Sequence, residues 1–145
     1  NRVSEALVAQ LTPGMSDRAF CELLYDVAFD DSLYVPLQAR LEKVIEHNVS
    51  IDSLIASKRH FLKQVDRIAA ATATTLGLDH AQATEFVKTL GVLIVGVAGA
   101  DLAPSLEGED VPTDIQALLD SFASRPLFVN NAHRIIRGIR AGDAE

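Results

Sequence analysis

The stretch EKVIEHNVSIDSLIASKRH, residues 42–60, reads as one helix ending at His47 and another starting at Ser50. Leu37, Leu41, Val44 and Ile45 recur at helical spacing before the break, and Ile51, Leu54 and Ile55 after it. At the break, Asn48 tolerates the left-handed conformation that closes a helix, Val49 can tuck inward, and the Ser50 hydroxyl can cap the next helix. Two or three residues then form a corner, and so short a turn sets neighbouring helices at a steep angle. Glu46 and Lys58 flank the corner and can pair across it, although a solvated pair has the same signature. The corner decides the fold because of the long helix it launches. Ile51, Leu54, Ile55, Phe61, Leu62, Val65, Ile68 and Ala69 form one stripe that runs through Thr72 to Leu76 and stops at Gly77. At 1.5 Å per residue that helix is roughly 40 Å long, the span of a small domain.

Outward from it, nearly every segment has helical spacing and none sustains strand alternation. A helix over about 1–11 stops at Pro13-Gly14. Ser16 caps the next, with Ala19, Phe20, Leu23, Leu24, Val27 and Ala28 on one face, and Asp30-Asp31-Ser32 starts the helix that carries Pro36 in its opening turn. Asp79 and Gln82 have capping-box spacing, as do Thr113 and Gln116. After the first box, Ala83, Phe86, Val87 and Leu90 make a one-sided face, and the following LGVLIVGVAGA (90–100) is apolar nearly all round, which predicts burial on several sides. The acidic loop DLAPSLEGEDVP (101–112) reads as solvated. IQALLDSF forms a short helix. A last helix after SRP carries Leu127, Phe128, Ala132, Ile135, Ile136 and Ile139, and stops before Gly142. The reading is all-α: an antiparallel bundle of about seven helices.

Bulk properties narrow the function. At 145 residues, 48% apolar and 23% charged, the chain is ordinary for one globular domain. A net charge of −7 argues against these residues gripping nucleic acid or an anionic membrane. The run at 90–100 is too short for the roughly 20 residues a membrane helix needs. Cys21 has no second cysteine to pair with, so a reduced, intracellular setting is expected, with the thiol as a small buried hydrophobe. Asn1 lies inside a helical pattern, as in the downstream part of a longer chain.

Catalytic patterns are weak. There is no Gly-rich phosphate loop and no His-Glu-x-x-His, and His47, His60, His80 and His133 are not one helical turn apart, so no metal, cofactor or enzymatic role is expected. His47 suits the carbonyl end of a helix, His80 follows a cap, and His60 is either a polar anchor or a surface residue. Asp30-Asp31 and Glu107, Glu109 and Asp110 have plain readings as a cap and a solvated loop. Two helices stand out. Gly91, Gly96, Ala98 and Gly99 let another backbone approach the fifth helix closely. In the last helix Phe128, Ala132, Ile135 and Ile139 alternate at four and three, a coiled-coil-like seam flanked by Arg134, Arg137 and Arg140. Two such helices can pair with their symmetry mates as a four-helix bundle, or bundle within one chain.

The helix–break–helix EKVIEHNVSIDSLIASKRHFL, then TLGLDHAQATEFVKTLGVLIVGVAG, the acidic loop and RPLFVNNAHRIIRGI together resemble the ligand-binding and dimerisation domain of the tetracycline-repressor (TetR) family. The resemblance spans about 16–142, with residues 1–15 resembling the end of the connecting helix and its turn; a helix-turn-helix DNA-binding region is expected upstream. It implies a homodimeric repressor in the cytoplasm that leaves operator DNA when a small lipophilic or aromatic effector binds. Its pocket would draw on Phe20, Leu24, Tyr25, His60, Phe61, Gln64, Val65, Phe86 and Leu90, and its dimer interface on Leu93, Val97, Phe128, Asn131, Ala132, Ile135 and Ile139. Each pocket residue can equally be packed core. The alternative function is a dimeric helical small-molecule-binding module without DNA contact.

Overall fold

The computed structural model describes residues 2–30, 34–100 and 110–142, and within the third helix the side chains of only some residues. Along them run α1 (Arg2–Gln10), α2 (Asp17–Ala28), α3 (Tyr34–Asn48), α4 (Ile51–Leu76), α5 (His80–Ala98), α6 (Thr113–Ser121) and α7 (Ser124–Ala141). No strand occurs among the described residues, and the chain is all-α.

Short polar side chains start three of these helices by satisfying N–H groups that have no intrahelical acceptor. Ser16 accepts from the Ala19 N–H at 3.1 Å, Ser50 from Ser53 at 3.2 Å, and Asp79 from Gln82 at 2.8 Å. The Gln82 side chain answers by accepting from the Asp79 N–H at 3.1 Å, which completes the capping box. α4 ends at Gly77, whose φ of 65° is left-handed, and its N–H bonds back to the Ala73 carbonyl.

α5 is the central helix. α4 and α7 pack along it, α2 packs across α7, and α1 lies against α2 and α4. By length and composition α5 could cross a membrane, yet Ala83, Phe86, Leu90, Val97 and Ala98 are buried against its neighbours. The core joins Leu7 of α1, Phe20 and Leu24 of α2, Ala69 and Leu76 of α4, Phe86 and Leu90 of α5, and Phe128, Val129 and Ile136 of α7. Phe20, Phe86 and Phe128 are fully enclosed, each contributing about 1.5–3 kcal/mol of apolar burial. Arg140 closes one end of the bundle: its guanidinium donates to both Asp17 oxygens and to the Leu76 carbonyl, joining α7, α2 and α4.

Several local expectations fail for identifiable reasons. Asn48 is helical rather than left-handed; its Nδ2 donates to the Val44 carbonyl at 2.8 Å, so α3 is extended instead of closed. Val49 is exposed, as are Leu41, Val44, Ile51, Ile55, Phe61 and Leu62. The stripe of α4 is therefore fully buried only from Val65 onward, with Leu54 half-buried in its first half. Glu46 and Lys58 do pair across the corner. Thr113 is not a cap: Pro112 occupies that place without a side-chain bond, and Gln116 turns to Asp120. α7 starts at Ser124, so Pro126 falls within its first turn, where a missing N–H costs nothing. The 90–100 run is open on one side, with Val92 76% and Val95 52% exposed. The Asp31-Ser32 cap, the loop at 101–109 and the side chains of Leu37 and Ile45 lie outside the described residues.

Candidate functional site

The residues expected to line a pocket divide into three groups. Phe20 and Phe86 meet at 5.9 Å between ring centroids with a 38° tilt, and Leu24 and Leu90 belong to the same buried cluster. These four are brought together in one cluster, with the Phe20 and Phe86 rings in direct contact. Tyr25 stacks on Phe29 at 4.4 Å and tilts against Phe128 at 5.8 Å; its hydroxyl shares a short hydrogen bond with Ser124. Arg125, which forks onto Asp26 at 3.1 and 3.2 Å, lies 5.9 Å from the Tyr25 ring centroid. Tyr25 thus latches α2 to the start of α7. Val65 is buried on α4, and half-buried Gln64 accepts a 2.8 Å hydrogen bond from Ser4 of α1. His60 and Phe61 face solvent, Phe61 at 57% exposure.

Two buried hydroxyls have no clear signature in the sequence. The Thr74, Thr75 and Thr89 hydroxyls donate to the carbonyls four residues back, but the buried Thr72 and Thr84 hydroxyls have no partner among the described residues. A buried hydroxyl without a partner costs about 1–3 kcal/mol, which makes both notable. Threonine within an apolar helical stripe is the only sequence signal for them, and it does not separate a self-bonded hydroxyl from an orphan.

Open space lies elsewhere. A cleft of about 370 Å³ separates α1 from α2, and one of about 300 Å³ lies beside the end of α6 and the start of α7. None of the nine expected pocket residues lines either cleft, although Asn131 borders the second.

The expected dimer residues divide as well. On α5, Val97 is buried and Leu93 half-buried, while Val92, Val95 and the Gly91 and Gly96 backbones are open to solvent. On α7, Phe128 and Ala132 are wholly inside their own chain, which removes them from contact with a partner. They face inward because α2 and α5 both pack on that side of α7. Ile135 and Ile139 are half-buried against the same core, and Asn131 donates to the Leu127 carbonyl at 2.7 Å.

Electrostatics tie helices together. The Asp17 carboxylate raises Arg140 above its usual range, and Asp26 does the same for Arg125. Hydrogen bonding from Lys58 lowers Glu46. Burial pushes the Cys21 thiol up to about 12, so no reactive thiolate is present at neutral pH.

Residues 1–107 match the family model described as tetracyclin repressor-like, C-terminal domain. The chain belongs to this family. No curated protein matches the chain at a significant level. The family's C-terminal domain is a regulatory fold. That gives the packed Phe20–Phe86 interior and the open α5 face a common context, that of a regulator's C-terminal domain.

Proposed function

We propose that the protein is an effector-responsive transcriptional repressor whose C-terminal domain dimerises and binds a small lipophilic or aromatic molecule. The observation that carries this reading is the TetR-like match over residues 1–107, within which α1 is bonded to α4. Ser4 donates to Gln64, and the Gly14 N–H donates to the Thr75 carbonyl at 3.3 Å. Movement of α4 is therefore passed to α1, the helix expected to lead to a DNA-binding region.

The effector would part the interior of α2, α4 and α5. Phe20, Leu24, Val65, Phe86 and Leu90 would supply apolar walls, and the Thr72 and Thr84 hydroxyls unspent polar points. Gln64 would couple the site to α1, Tyr25 would guard its α7 side, and His60 and Phe61 would lie at its outer edge. An effector that prefers one arrangement of α4 shifts the population of both helices, by no more than its differential affinity for the two states. The homodimer would form through the open side of α5, around Val92, Val95 and Leu93, with Ile135, Ile139 and Asn131 of α7 beside it. Phe128 and Ala132 would support that surface from inside.

The test uses the full-length gene product. It should carry a helix-turn-helix region, shift a palindromic fragment of its own upstream DNA as a dimer, and release it on adding effector. A full-length product that lacks such a region and does not bind that DNA would sink the repressor reading; effector binding retained without DNA binding would favour the dimeric binding module.

A further inference from the structure

We propose that the cleft between α1 and α2 is a separate ligand site, for a small planar apolar molecule that carries a positive charge. The proposal deepens the regulatory reading, because the site borders the helix that would transmit the signal. At about 370 Å³ the cleft is in the range of small-molecule sites. Its floor is Val3 and Ala6 of α1 with Leu23 and Val27 of α2, all half-buried, so apolar surface stays partly wet until something covers it.

The sign of the ligand follows from the rim. Asp26 and Asp30 both border the cleft. Asp26 is already gripped at both oxygens by Arg125, whereas among the described residues Asp30 meets only Arg2, at 3.3 Å. The Arg2 and Asp30 side chains are 68% and 74% exposed, so a ligand cation can take the place of Arg2 and release it to water at little cost. An anion drawn to Arg2 would instead sit beside two carboxylates. A bound cation would thus replace a tie between α1 and the end of α2 with a wedge between them. α1 would keep its buried Leu7 and the Ser4–Gln64 bond as a pivot.

Three probes of one shape test this on the full-length protein: 2-naphthamidine, neutral 2-naphthamide and anionic 2-naphthoate. Titration calorimetry should rank the amidine about tenfold or more tighter than the amide, with the naphthoate weakest. Asp30→Asn should erase that preference and leave amide binding unchanged, and Ala6→Trp, which fills the floor, should abolish binding of both. Because Asp30 is exposed, its variant tests the site even if Ala6→Trp fails to fold. Amidine binding that is indifferent to Asp30→Asn, tightest binding by the naphthoate, or no binding by any probe overturns the proposal. Effector-driven DNA release together with amidine affinity that ignores both substitutions leaves the repressor reading standing and this site refuted; failure to bind DNA while Asp30 still governs amidine affinity does the reverse.

Discussion

Arg140→Ala offers the sharpest test of how the bundle is closed. The guanidinium donates to Asp17 at 2.9 and 2.6 Å and to the Leu76 carbonyl at 2.7 Å, with the Arg140 and Asp17 side chains 37% and 20% exposed. The Leu76 carbonyl lies in the last turn of α4, where carbonyls lack intrahelical donors and a cation is favoured. Truncation strands that carbonyl and leaves Asp17 with only the N-terminal end of α2 for compensation. Charged hydrogen bonds contribute about 1.5–3 kcal/mol each when buried, and exposed pairs about 0–1, so partial exposure here sets the total loss near 2 kcal/mol. For a chain of this size that lowers Tm by about 4–8 °C. Arg125→Ala, whose pair with Asp26 is about half exposed on both sides, should cost under about 1 kcal/mol. Arg140→Lys should recover roughly half the loss, because a single ammonium cannot make the fork. Urea unfolding followed by circular dichroism, at one protein concentration to hold dimerisation constant, reads all three. If Arg140→Ala loses no more than Arg125→Ala, the three-helix closure is not a stabilising contact.

Burial sets the remaining outcomes. Phe86→Ala should lose about 3–5 kcal/mol, since the ring is fully enclosed against Phe20; a loss below about 1 kcal/mol in the same urea assay would mean that the interior collapses around the gap or is not packed as described. The Val92→Asp, Val95→Asp double variant should stay folded yet sediment as a monomer, because both side chains are exposed in the single chain; a persisting dimer would move the interface away from α5. Cys21 should resist thiol reagents at pH 8 until denaturant is added. Its folded pKa of about 12 lies above the ordinary thiol value of 9.0, so its contribution to stability is complete below pH 9 and is lost between pH 9 and 12, where the unfolded thiol ionises first. Cys21→Ala should flatten that part of the alkaline stability profile, and an unchanged slope would contradict the burial.

Much of the architecture can be read locally. Helix starts at Ser16, Ser50 and Asp79 and the stop at Gly77 depend on hydrogen bonds within a few residues, which is why the sequence by itself determined an all-α chain and its helix order. The inward faces of α2 and early α5 were legible too, since Phe20, Leu24, Phe86 and Leu90 each stand on a one-sided stripe. A stripe says that a face wants covering and is silent about what covers it. The seam of α7 looked like a surface for a second chain, and α2 and α5 of its own chain take Phe128 and Ala132. The stripe of α4 is uniform from Ile51 to Leu76, yet only the part beyond Gln64 is fully buried, and Phe61 stays in solvent. The cleft between α1 and α2 had no local signature, because it arises where two faces fail to meet. Periodicity is a property of one helix, whereas burial, pairing and empty space belong to the contacts among several, and those were decided only by the tertiary structure.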